Sequence, residues 1–352
     1  MRLETKIATL LMFAALAMSS CTKKPHTTEE PAPSSLGFRA MSQAVWVKSD
    51  EAAATTTPMF PYDDFGVWGI ARQGTAVYNL WGNSGLSEVK DLEKRVENNI
   101  TTSTTPRVFT PTEAAYWLNG YSYNFLAVAP YADPGFTFTG VTTKEGQTDV
   151  TNPSDYLTFT YDMSSKYAAG DYDFDLLGAA AQSTINAGGY SADQDLMFWH
   201  LLSQININVL FGTDLAGNQI VGEVTGYRLE NVVSSGVFEV KHKSGNEIFA
   251  DCTPSTAETS KKTFSFTETT VHIIPQNVQP MNLYLDFVLN KGQNDQATYS
   301  DFKISLNVPA NANAYLPNGR YSWNITIGAK NAITFDIDVT PWTTGTGGTI
   351  DM

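Results

Sequence analysis

Cysteine, histidine and positive charge are all scarce in this chain of 352 residues, which holds 2 Cys, 4 His and 22 Lys plus Arg against 36 Asp plus Glu. Cys21 and Cys252 alone cannot build a disulfide framework, and so few scattered histidines give no reason to expect a zinc site or any other metal centre. A formal net charge of −14 argues against contact with a phosphate backbone, so nucleic acid is not an expected partner. The apolar run Ile7–Met18 is too short to cross a bilayer as a helix. Also missing are a glycine-rich phosphate loop, a Gly-x-Ser-x-Gly elbow and a His-Glu-x-x-His pair, and with them the common motif enzymes and any expected cofactor.

What is present begins at the N-terminus. Lys6 precedes the apolar run, Ser19-Ser20 are small, and Cys21 follows. This order reads as a cleaved export signal over 1–20 with Cys21 as the lipid-modified residue, which the alternative of a buried N-terminal helix in a cytosolic chain explains less well. Acylation of Cys21 leaves Cys252 without a partner in the chain. Residues 21–35, rich in Pro, Thr and Glu, lack the apolar surface needed to fold and read as a tether. The folded part then starts near Leu36 and is long enough for two domains.

Its periodicity is that of strands. Ile205, Ile207, Val209 and Phe211 alternate with polar residues, as do Leu283-Leu285-Phe287-Leu289, Phe302-Ile304-Leu306-Val308, Tyr321-Trp323-Ile325-Ile327 and Ile333-Phe335-Ile337-Val339. Tyr121-Tyr123-Phe125-Ala127, Phe136-Phe138 and Tyr156–Tyr161 behave similarly. Turn chemistry such as Asp133-Pro134-Gly135 and Pro317-Asn318-Gly319 separates them, and many short alternating strands predict an all-β, antiparallel sandwich architecture. Ser87–Asn98 has Val89, Leu92 and Val96 near helical spacing and is the best helical candidate, with an exposed loop or a frayed strand as alternatives. The Gly- and Ala-rich stretch Gly178–Gly189 resets the pattern, which predicts domains over 36–190 and 191–352.

Candidate chemistry is thin. Asp171, Asp173 and Asp175 alternate and would suit calcium, but the spacing of a calcium loop is absent and a solvated strand face explains them as well. His200, between Trp199 and Leu201, has no serine elbow or second histidine nearby in sequence and reads as a hydrogen-bonded strand residue. Trp68, Trp81, Trp117, Trp199, Trp323 and Trp342 would serve either as sandwich core or as stacking platforms for sugars, with core the better reading.

A set of short segments spread along the chain resembles the fimbrillins, the lipoprotein precursors of type V pili. They are the signal ending in Cys21, Phe65-Gly66-Val67-Trp68, Tyr123-Asn124-Phe125 with Ala129-Pro130-Tyr131, Asp175-Leu176-Leu177-Gly178-Ala179, Phe198–Ile205, Pro317-Asn318-Gly319-Arg320-Tyr321 and Val339-Thr340-Pro341-Trp342. The resemblance implies two transthyretin-like β-sandwich domains in tandem and no enzymatic activity. It also implies an outer-membrane, lipid-anchored precursor that a processing protease trims before strand exchange with other pilin subunits in a surface fimbrium serving adhesion to a host or bacterial ligand. On this chain the cleavage candidates are Arg39 and Lys48, and the donor strand is Ile333–Val339, with Ile333, Phe335, Ile337 and Val339 as its apolar row. The competing reading is a surface lipoprotein that binds glycans through exposed aromatics.

Overall fold

The computed structural model describes residues 34–42, 60–81, 93–98, 107–111, 114–142, 155–185, 193–214, 216–244, 247–277, 281–304, 314–328 and 333–341, with the backbone path alone for 93–98 and 333–341. Cys21, Lys48 and Trp342 lie outside this set. All the strands belong to the unit Ser35–Met352.

The first sheet has eight strands. They are β1 (Phe38–Ser42), β2 (Asp64–Gln73), β3 (Ala76–Asn79), β4 (Glu93–Asn98), β5 (Arg107–Pro111), β6 (Tyr121–Ala129), β9 (Leu177–Ile185) and β10 (Gln194–His200). β2 carries the short hairpin strand β3 on part of one edge, and the remaining seven close a ring in the order β2-β4-β5-β1-β10-β9-β6 because β6 pairs back onto β2. Every ladder in it is antiparallel except β1 with β10. Alternate residues therefore point to a closed interior. Phe65, Val67 and Ala71 of β2, Tyr123, Phe125 and Ala127 of β6, Leu177, Ala179 and Ala181 of β9, and Leu196 and Phe198 of β10 all belong to one buried cluster. Alanines set against aromatic rings keep the enclosed volume filled without crowding. Gly69 serves the same end, since a Cβ there would stand 2.5 Å from Leu80 Cδ1 and 2.7 Å from Trp81 Cζ3.

Three four-stranded sheets make up the rest. One orders β16 (Thr270–Ile273), β11 (Ser203–Phe211), β19 (Gly319–Ile327) and β20 (Ile333–Pro341). The second orders β15 (Lys261–Phe266), β12 (Gly222–Val233), β17 (Asn282–Leu289) and β18 (Ala297–Ile304). The third orders β14 (Glu247–Pro254), β13 (Ser235–Ser244), β8 (Tyr156–Asp162) and β7 (Phe136–Thr142). Their apolar faces share a second cluster with Trp68, Ile70, Leu126 and Val128, the residues of β2 and β6 that alternate with the ring's interior. A buried polar link crosses from the ring to the residue just before β8: Arg72 Nη2 pairs with Asp155 Oδ1 at 2.5 Å, and Asn124 Nδ2 donates to Asp155 Oδ2 at 2.9 Å.

The all-β expectation matches the fold. The helical candidate does not: of Ser87–Asn98, residues 87–92 lie outside the described set and Glu93–Asn98 is strand β4, laddered to both β2 and β5. Two flanking ladders outweigh a weak helical spacing among charges. The α-helix of the described residues is instead α1 (Ser164–Ala169), ended by Gly170 at φ +76° and anchored by buried Tyr167, whose ring stacks on Phe264 at 4.4 Å. Ser191 lies outside the described residues, and the ladders interleave around it. β10, which follows it, completes the first ring, while β7 and β8, which precede it, share a sheet with β13 and β14.

The segments that carried the family resemblance acquire physical reasons. A Cβ at Gly66 would stand 2.5 Å from the ring of Tyr131, and one at Gly178 would stand 3.0 Å from the methyl carbons of Leu201. Each glycine therefore seats a residue from another of the quoted segments. Tyr123 and Tyr321 make matching corners: the Leu118 N–H donates to the Tyr123 hydroxyl at 2.6 Å, and the Leu316 N–H to the Tyr321 hydroxyl at 2.8 Å. Each ring meets an aromatic residue six positions upstream edge-on, Trp117 at 4.8 Å and Tyr315 at 4.6 Å.

Candidate functional site

β1 is five residues long, holds a glycine immediately before it and an arginine within it, and has little intrinsic tendency to form a strand. Its structure comes from its neighbours. On one side it runs parallel to β10, Phe38 opposite Gln194 through Ser42 opposite Phe198; on the other it runs antiparallel to β5, Phe38 opposite Phe109. The chain leading in is fastened too. The Leu36 N–H donates to the Ala115 carbonyl at 2.8 Å, the Gln194 N–H to the Gly37 carbonyl at 2.8 Å, and Ser35 bridges to Tyr116.

Leu36, Phe38, Ala40 and Ser42 are each at most 2% exposed. Phe38 meets Phe125 edge-on at 5.3 Å, Phe65 edge-on at 6.0 Å and Trp81 at 6.5 Å. Behind these, Phe60 packs on Phe198 at 4.6 Å and Phe109 at 5.5 Å, and Phe65 packs on Phe109 at 5.1 Å. Such edge-to-face contacts each add roughly 0.5–1.5 kcal/mol beyond area burial. β1 is thus a plug whose side chains complete the aromatic core of the ring.

Arg39 points the other way and forms an ion pair with Asp195 at 2.6 Å, both side chains more than a third exposed. The pair itself contributes no more than about 1 kcal/mol. As a cleavage candidate Arg39 sits in mid-strand, opposite Asp195 on one edge and Val108 on the other. Its peptide bond is therefore presented to a protease only when β1 leaves its seat. The donor candidates Ile333, Phe335, Ile337 and Val339 lie on β20, an edge strand laddered to β19, opposite Ile327, Ile325, Trp323 and Tyr321 respectively.

The other residues singled out in the sequence have structural duties. Asp171, Asp173 and Asp175 lie between α1 and β9 rather than along a strand. The Asp175 carboxylate meets His200 Nδ1 at 2.6 Å, its carbonyl accepts from the Tyr62 hydroxyl at 2.5 Å, and Asp171 lies 3.6 Å from Lys166. Burial and the adjacent Asp175 push the Tyr62 phenol above its ordinary range. Among the described residues no group of three or more His, Cys, Asp or Glu is placed to hold a metal ion. His272 is buried, and its Nδ1 donates to the Phe174 carbonyl at 2.8 Å, which leaves Nε2 to accept from Gln204 Nε2 at 3.1 Å. Burial holds this imidazole below its usual pKa, against the opposing pull of Asp175. Trp68, Trp81, Trp117 and Trp323 are core residues, at most 1% exposed. Burial raises the Cys252 thiol, and that cysteine is free.

Sequence reasoning missed the Arg72-Asp155-Asn124 link and the role of Phe60, since neither belongs to an alternating run.

The first sheet is thus a closed β core completed by its own first strand, with an interior lined by aromatic rings. The chain belongs to the fimbrillin-like family, whose model matches residues 53–342, and it is not an enzyme. A fimbrial protein from Bacteroides vulgatus shares the fold: its crystal structure is 15% identical, with a TM-score of 0.52, covering 88% of this chain and 99% of that one. A fimbrial assembly protein from Parabacteroides distasonis is 12% identical, with a TM-score of 0.40, covering 88% of this chain and 98% of that one. No curated protein matches.

Proposed function

We propose that this chain is a subunit of a surface pilus, delivered to the outer membrane as a precursor lipidated at Cys21 and polymerised by strand exchange after removal of β1. The observation that carries the reading is the seat of β1: a leading strand, laddered on both edges, whose Phe38 and Ala40 are buried in the ring, with Leu36 buried just ahead of it. Removing it leaves two unpaired strand edges and an aromatic-lined slot, which is what an extended segment of another subunit fills.

Of the two cleavage candidates Lys48 fits better. A cut after Arg39 strands Ala40–Ser42 of β1 in the ring, whereas Lys48 is the first basic residue beyond β1 and a cut there frees the whole strand. In turn the chain donates Ile333–Val339, an edge strand at the other end of the sequence. The burial of four core tryptophans gives no specific support to a glycan platform.

Purified full-length protein should stay monomeric; once a trypsin-like protease has cut after Lys48 it should form denaturant-resistant complexes when mixed with related trimmed subunits, and deleting residues 333–352 should remove its capacity to donate a strand to them. Trimmed protein that stays monomeric both alone and when mixed with related trimmed subunits would overturn the proposal.

A further inference from the structure

We infer that the seat of β1 selects its incoming strand by charge, and that the partner it accepts is a related subunit carrying a basic residue opposite Asp195 rather than a second copy of this chain. The inference rests on the strand-exchange reading above.

The seat has two rows. Inward it takes Leu36, Phe38, Ala40 and Ser42, a large residue, an aromatic ring and two small side chains, each at most 2% exposed. Outward it takes Gly37, Arg39 and Met41 against a flank of β10 and its approach that bears two carboxylates. Asp195 pairs with Arg39 at 2.6 Å, and Asp193 Oδ1 occupies the space that a side chain at position 37 would need. When β1 leaves, Arg39 leaves with it. The flank then presents two negative charges with their counter-ion gone, on a chain whose net charge is already −14.

The chain's own donor cannot restore that charge. Residues 333–352 contain Asp336, Asp338 and Asp351 and no lysine or arginine. Because side chains alternate, the apolar row Ile333-Phe335-Ile337-Val339 enters the ring only in registers two residues apart. With Phe335 in place of Phe38, Asp336 meets Asp195; with Ile337 there, Asp338 meets Asp195 and Asp336 meets Asp193. With Val339 there, Asp338 meets Asp193; with Ile333 there, Thr334 meets Asp195 without a charge clash, but Phe335 and Ile337 fall at the places of Ala40 and Ser42, which admit only small side chains. Like charges directly opposed across strands disfavour pairing. The two innermost small positions point the same way, since the register that seats Phe335 brings Ile337 and Val339 to the places of Ala40 and Ser42.

The test uses full-length protein trimmed after Lys48 and three fluorescent peptides: residues 34–43, the same peptide with Arg39→Asp, and residues 333–342. The native peptide should bind, and the Arg39→Asp and 333–342 peptides should bind about tenfold or more weaker. Charge reversal in the acceptor, Asp195→Lys, should invert the preference between the first two, and Asp195→Asn should erase it if the reversed variant folds poorly. Equal binding of all three overturns charge selection while leaving strand exchange standing. Failure of every peptide to bind overturns strand exchange and this inference with it.

Discussion

Replacing Phe38 by alanine should release β1 without unfolding the protein. Burial of Leu36 and Phe38 supplies roughly 3–6 kcal/mol to the seating of this strand, and both are essentially inaccessible in the ring. A Phe→Ala change at a fully buried site costs about 3–5 kcal/mol, comparable with the whole apolar contribution of the strand. Against this stands the entropy of ordering the segment, about 1–2 kcal/mol per residue, so the seat of β1 has little margin once the ring of Phe38 is gone. The expected result is local opening. Amides that face β1 on β10 and β5 should lose hydrogen-exchange protection while β6, β9 and the three outer sheets keep theirs. Trypsin should then cut after Arg39, a bond that resists it in the parent protein because Arg39 is laddered on both edges. If Phe38→Ala instead lowers global stability by several kcal/mol and Arg39 stays protected until the whole protein unfolds, β1 is an inseparable part of the ring and exchange at this site is refuted.

Two further outcomes follow from buried polar groups. Asp155→Leu alone should destabilise the protein by about 3–5 kcal/mol, because it strands the buried Arg72 guanidinium, and Arg72→Met in the same chain should recover most of that loss in denaturant titrations. His272 is held neutral by burial, so its folded pKa lies below the unfolded value of about 6.5. Its contribution to stability is complete above that value and is lost as pH falls from about 6.5 towards the folded pKa. Unfolding free energy measured between pH 7 and 5 should decline with acidification, and less steeply in His272→Gln.

What the sequence disclosed depended on how local its cause was. Ile205-Ile207, Leu283-Leu285-Phe287 and Tyr321-Trp323-Ile325-Ile327 were legible as strands because each lies with one face in a core, and burial confirms that face residue by residue. β4 was not, because Glu93–Asn98 owes its extended form to its ladders with β2 and β5, partners set by tertiary pairing rather than by its own charged sequence. The six residues of α1 are too few to show a helical period. Closure of the ring was hidden for the same reason as β4: it depends on β6 pairing with β2 and on β1 lying parallel to β10, contacts between distant residues. The site was half visible. Basic residues at 39 and 48 could be seen, but that Arg39 lies inside a strand and Lys48 beyond it is a fact of pairing.

That distinction bears on why a strand as poor as β1 occupies so well built a seat. A segment with strong intrinsic strand character would hold its form after leaving and compete for re-entry, whereas Leu36-Gly37-Phe38-Arg39-Ala40 has little order of its own. Most of the binding machinery belongs to the acceptor: Phe65, Phe125 and Trp81 around the pocket, the edges of β5 and β10, and the carboxylate of Asp195. Once covalent attachment is cut, β1 loses the high effective concentration that its tether provided. A longer strand with more apolar residues, such as the row at Ile333–Val339, then gains the advantage on burial and hydrogen bonding wherever the acceptor's charge allows it.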